Sequence, residues 1–267
     1  MGPSSSPRSA RSDAGRYRWR SLFGVNLVSD IHERACDLGW KIPAGAKRRR
    51  RIARVREAGL LFVHIPKAAG MSISEALYGA QIKHASIRLH RHLDRALRDM
   101  PSFAVMRDPA DRFLSAYRYG RAGGSANNDV AEPFRTRYMA FRSIDEALDH
   151  VETASSPYAV DHIFRAQSWY VTDDKGRVAV DRLVAIDDLD QLPSLVPGFP
   201  ACSLPALNRS QPIEVPRLNA AQHARLRVIY ADDYALWENV ARRIAAPQRA
   251  EQGRAIAAST ATLEIAI

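Results

Sequence analysis

In the stretch LFVHIPKAAGMSIS, residues 61 to 74, a lysine precedes a turn of small residues and a hydroxyl follows it. Ala68, Ala69 and Gly70 leave backbone N–H groups open to close approach by an anion, and a helix starting there adds the positive end of its dipole. Ser72, just past Met71, can donate one more hydrogen bond. Lys67 brings a mobile point charge able to reach a bridging or terminal oxygen. A Walker loop, G-x-x-x-x-G-K-[ST], places its lysine after the last glycine. Here the lysine comes first, so the loop reads as a phosphate cradle with its cation on the other side, unlike an ATPase.

A second candidate lies in RDPADRFLSAY, residues 107 to 117. Arg107 offers a planar fork suited to phosphate, and Ser115 adds a directional hydroxyl two turns into the following helix. Two separate phosphate sites imply a nucleotide phosphorylated at both ends. Between them, LHRHL carries His90 and His92. A neutral imidazole at physiological pH is suited to accepting a proton, although a lone histidine is more often structural. His64, inside LFVHI, reads as a strand residue. No carboxylate or cysteine completes a metal set around His84, His90 and His92, so no metal is expected.

The elements that must hold these residues follow from the hydrophobic pattern. LLFVHI is a nearly continuous apolar run, as in a strand buried on both faces of a parallel sheet. MSISEALYG then reads as a short helix with Met71, Ala76 and Leu77 on its apolar face. SFAVMRD, residues 102 to 108, is a second buried strand ending in charge. PADRFLSAYRYG begins a helix at Pro109, with Phe113, Leu114 and Tyr117 inward. Two strand-to-helix units predict an α/β fold, a P-loop-like three-layer arrangement with a central parallel sheet flanked by helices. Ligands in such sheets sit beyond the carboxyl ends of the strands, where both charged junctions fall. Later, Ser143 reads as a helix N-cap with Glu146 three residues on, and a third strand is expected around Leu183 to Ile186. Residues 219 to 244 read as a long helical region with an interruption near Asp232.

Composition bounds the rest. The chain has 267 residues and a formal charge of +10, but residues 1 to 56 hold 14 of the 39 Lys and Arg and 4 of the 29 Asp and Glu. The excess therefore belongs to an N-terminal arm, and the body is balanced. The division expected is a basic, partly disordered arm at 1–56, a catalytic domain at 57–246 and a tail at 247–267. The run KRRRRIARVR, residues 47 to 56, suits an anionic polymer or membrane surface, or else is a solvated face without a partner. Nothing in the body points to nucleic-acid recognition. Two distant cysteines and the lack of a secretory core or a membrane-length apolar run give the expectation of a reduced, cytoplasmic protein, with the arm allowing peripheral attachment.

The motifs together resemble a known family. FVHIPKAAGMSI resembles the 5′-phosphosulfate loop of sulfotransferases, and VMRDPADRFLSAYRY resembles their 3′-phosphate motif. The similarity is closest to the branch that includes the heparan uronosyl 2-O-sulfotransferase, and to bacterial relatives. FRAQSWYVTDDKGRVAVDRLVAIDDLDQL, LPALNRSQ and VIYADDYALWENV resemble the middle region, later loop and terminal helix, so residues 60 to 240 are covered. The resemblance implies 3′-phosphoadenosine 5′-phosphosulfate (PAPS) as donor, without a metal, held by Lys67, Ala68, Ala69, Gly70, Met71, Ser72, Arg107, Ser115 and Arg209. It also implies His92 as catalytic base, with His90 assisting and Lys67 stabilising the leaving oxygen. Thr is usual in the family at the positions of Met71 and Ala68, so hydroxyl contacts are lost here while the main-chain cradle remains. A hydroxylated acceptor, a glycan or lipid-linked saccharide, is expected, with its specificity in residues 120 to 165.

Two other readings make different demands. A divergent P-loop kinase needs magnesium ligands and a lysine after the loop glycine. A binding module for anionic polymers, led by the basic arm, would bind in a salt-sensitive way without Lys67 or His92.

Overall fold

The computed structural model describes residues 22–125, 128–205 and 217–242. Helices α1 (Ile31–Asp37) and α2 (Ala46–Ala58) lead into strand β1 (Leu61–Val63), helix α3 (Gly70–Tyr78) and helix α4 (Ile87–Leu93). Strand β2 (Ser102–Met106) and helix α5 (Pro109–Arg121) form the second unit. A ribbon of β3 (Gly124–Ser125) and β4 (Asn128–Asp129) follows, then α6 (Phe134–Met139), α7 (Ile144–Glu152) and α8 (Gln167–Val171). Strand β5 (Arg182–Ala185), α9 (Leu192–Leu195) and α10 (Ala220–Ile229) complete the named elements, and residues 231–242 are helical.

The sheet has the order β1-β2-β5, all parallel, with Phe62 opposite Phe103 and Ala104 opposite Leu183. Every residue of β2 is buried, as a central strand covered on both faces requires. The fold is thus α/β with a parallel sheet flanked by helices, as the apolar runs predict. Asp108 caps α5 by accepting from the N–H groups of Ala110 and Asp111, with Pro109 in the first turn where no N–H is needed. Ser143 caps α7 through the Glu146 N–H, but the Glu146 carboxylate accepts from the Arg142 N–H and guanidinium, one residue upstream of the cap. The break in the last helical region falls at Tyr230, whose φ of −115° and ψ of 37° end α10.

Two inward faces differ from expectation. In α3 the buried side chains are Ser72, Ile73, Ser74 and Tyr78, while Met71, Ala76 and Leu77 are only half-buried. Tyr78 sets the rotation: its hydroxyl accepts from the Phe62 N–H at 2.8 Å and donates to the Leu60 carbonyl at 2.9 Å, clamping α3 to β1. In α5, Phe113 and Tyr117 are buried but Leu114 is only partly so.

Residues 28–56, which the charge count places in the arm, pack on the body. Glu33 on α1 accepts from the N–H and hydroxyl of Ser86, and the fully buried Asp30 pairs with Arg165 and His162. The N-terminal residues 1–21 and the tail 247–267 lie outside the described residues, as does Arg209 with its neighbours Asn208 and Ser210. No helix among the described residues is long and apolar enough to cross a membrane.

Candidate active site

The loop joining β1 to α3 holds two non-glycine residues in the left-handed region, Lys67 at φ 68° and Ala69 at φ 56°. Each costs of order 1 kcal/mol or more, which the flanking strand and helix must over-determine. The reason for glycine at position 70 is a close approach. A Cβ there would lie 1.8 Å from Cδ2 and 2.0 Å from Nε2 of His64. His64 is fixed in turn, donating from Nδ1 to the Ile82 carbonyl at 2.9 Å and stacking on Phe62. Burial pulls its basicity down to about 4, so it is neutral at physiological pH. His64 therefore stands just past the strand end and shapes the turn.

Lys67 lies with Nζ 4.1 Å from the centroid of the Tyr119 ring. Its pKa falls to about 8, first by burial and then by the neighbouring charges of Arg107 and Arg118. None of these three cations forms an ion pair among the described residues, and Nε of Arg118 is buried without a hydrogen-bond partner. Mutually repelling cations without a carboxylate are stable when an anion sits among them. The two strand-end junctions thus bring their cations within electrostatic reach of one another, with Ala68, Ser72 and Ser115 buried beside them.

Arg107 is set by a partner that charge and spacing did not single out. The side-chain amide of Gln167 accepts from the Arg107 N–H at 3.0 Å and donates to the Arg107 carbonyl at 2.8 Å. Gln167 opens α8, and the fully buried Asp233 caps that helix by accepting from the N–H groups of Gln167 and Ser168 at 2.7 and 2.8 Å. Burial pushes the Asp233 carboxyl up, against the opposing effects of Arg112 and those two bonds. The only sequence signal for this relay was the pair of stretches FRAQSW and YADDY.

The histidines divide. His92 is half-buried and donates from Nε2 to the Trp40 carbonyl at 3.1 Å. His90, on the same helix, is buried, and its Nε2 has no partner. The imidazole brought against the phosphate loop is His84. Its ring lies 4.2 Å from that of His64 and 5.8 Å from that of His162, which bonds Asp30 at 2.9 Å. Nδ1 of His84 donates to the His64 carbonyl at 3.2 Å, a bond that places the neutral ring's proton on Nδ1 and leaves the lone pair on Nε2.

A parallel sheet flanked by helices, with a lysine-bearing loop at its carboxyl edge, defines the class: an α/β protein with a P-loop-like fold. The sequence comparison is more specific. The sulfotransferase family profile matches residues 50–189, more than half of the chain, and the protein belongs to that family. No curated protein and no solved structure gives a match. Membership supports sulfuryl transfer to a hydroxyl-bearing acceptor as the activity.

Proposed function

We propose that this protein transfers a sulfuryl group from PAPS to a hydroxyl of a carbohydrate, as in the heparan 2-O branch and its bacterial relatives. The carrying observation is the convergence of Lys67, Arg107 and Arg118 without a carboxylate at the β1–α3 loop. The donor supplies an activated sulfuryl group. The loop 67–72 would hold its 5′ end, and Arg107 and Ser115 its 3′ phosphate, with Arg209 the remaining nucleotide contact. Lys67 neutralises charge on the leaving oxygen, while the acceptor oxygen bonds to sulfur and its proton passes to an imidazole.

For that imidazole the family resemblance points to His92, with His90 beside it. The geometry favours His84, whose unprotonated Nε2 is the acceptor form a base requires. Burial, with the charges of His64 and His162, holds His84 well below the ordinary histidine range. A cytoplasmic setting, with peripheral contact through residues 47–56, completes the proposal.

Calorimetric titration with 3′-phosphoadenosine 5′-phosphate, run beside ATP with magnesium, tests the donor site. The bisphosphate should bind and lose roughly tenfold or more in affinity on Lys67→Ala and again on Arg107→Ala. Binding of ATP with magnesium in preference to the bisphosphate would replace this reading with phosphoryl transfer.

A further inference from the structure

The helices α1, α2 and α4 bring together three nitrogen-bearing side chains that the donor site does not use. Nε2 of His32, Nη1 of Arg48 and Nε2 of His90 are each buried without a hydrogen-bond partner. Arg48 stands close enough to both rings for its charge to depress their basicity, in each case after burial. His32 donates from its other nitrogen to the Pro43 carbonyl, so its orientation is fixed. The nearest carboxylate, Glu33, is committed to the N–H and hydroxyl of Ser86, both at 2.7 Å. Arg51 adds further positive charge, lowering the basicity of both Arg48 and Lys83 after burial, while the Glu33 carboxylate acts on Arg48 in the opposite direction.

A buried guanidinium N–H without an acceptor is costly, and two unpartnered imidazole nitrogens beside it add to the deficit. One tetrahedral or carboxylate oxyanion would satisfy all three: it accepts from Arg48 directly and from each imidazole once that ring takes up a proton. We propose that this recess is a second oxyanion-binding site, separate from the donor loop, with Arg48 as its cation and His32 and His90 as its inner hydrogen-bonding groups. Its ligand is a sulfate, phosphate or carboxylate group, either free or borne by a saccharide. Lys83 immediately precedes His84, so a saccharide-borne group held here would lie along the chain from the imidazole that bonds the His64 carbonyl at the end of β1.

The test follows the imidazole nitrogen resonances of His32 and His90 in the full-length protein during titration with sodium sulfate, a hexuronate oligosaccharide, and a neutral oligosaccharide of equal length. Both resonances should move toward the protonated form with either anionic titrant and stay still with the neutral one. The apparent affinity should fall roughly tenfold or more in Arg48→Gln and persist in Lys67→Ala. Tighter binding of the hexuronate than of sulfate assigns the group to a saccharide, and equal binding to a free anion. Absence of any shift in the wild-type protein overturns the proposal, as does a response that survives Arg48→Gln but disappears with Lys67→Ala. Binding of 3′-phosphoadenosine 5′-phosphate reports the fold and donor site of Arg48→Gln, and urea unfolding reports the fold of Lys67→Ala, separately from this result.

Discussion

In the proposed donor site, Lys67 would carry both recognition and its pH dependence in a single side chain. Its value near 8, down from 10.5 mainly through burial, means that the free protein loses this charge as pH rises through 8. Affinity for 3′-phosphoadenosine 5′-phosphate should therefore decline between about pH 7 and 9, by up to roughly tenfold, in calorimetric titrations. Lys67→Arg should flatten the slope whatever its absolute affinity, because a guanidinium stays charged. At the same scale, His84→Asn and His92→Asn separate the two candidate bases. The one that removes the proton should lose about 10²–10⁴ in turnover of PAPS with a hydroxylated saccharide, while bisphosphate binding is unchanged. An equal, small effect of both substitutions would move the base elsewhere.

At the scale of elements, the site depends on how α8 meets the end of β2. Asp233 caps α8, and Gln167 at the start of that helix clasps the backbone of Arg107 from both sides. Asp233→Ala should destabilise the fold by about 1–3 kcal/mol, since it leaves two buried N–H groups without an acceptor. It should also weaken bisphosphate binding, whereas Ser143→Ala, which removes the cap of α7, should lower stability by about 1 kcal/mol and leave binding intact. Urea unfolding and calorimetry on the same samples give both readouts. Parallel losses from the two caps would show that Asp233 acts on stability alone.

For the whole molecule, the N-terminal segment is tied to the body through charge buried in the interior. Arg165 and Asp30 are both almost wholly buried, and His162 shares the carboxylate. The Asp30 carboxyl stays below its usual range because the His162 and Arg165 contacts outweigh burial. Removing one partner of a buried pair leaves the other uncompensated, so Asp30→Ala should cost about 3–5 kcal/mol in urea unfolding. A change below about 1 kcal/mol would mean that solvent reaches Arg165 and that the segment is only loosely docked.

The sequence by itself determined β1 and β2, short apolar runs bounded by turn and charge signals that suit strands covered on both faces, and placed β5 from its shorter apolar stretch. It also determined the strand-loop-helix layout at residues 61–78, where small residues, a lysine and the start of a helix are local neighbours. Tertiary structure decided what depends on distant residues meeting. Arg118 joins Lys67 and Arg107 only because α5 crosses beside the loop, and Gln167 reaches Arg107 across 60 residues. His84 gained its place from the His64 carbonyl 20 positions away, while the H-x-H spacing drew attention to His90 and His92. Residues 1–56 read as a basic arm because net charge averages over a segment, although the apolar stretch 21–40 suits packing on the body. The attachment of residues 28–56 rests on a few buried groups, chiefly Asp30 and Glu33, whose partners at Arg165, His162 and Ser86 lie far along the chain. Local pattern specifies local geometry, but long-range pairing is set by how the elements pack, and only the folded chain reveals it.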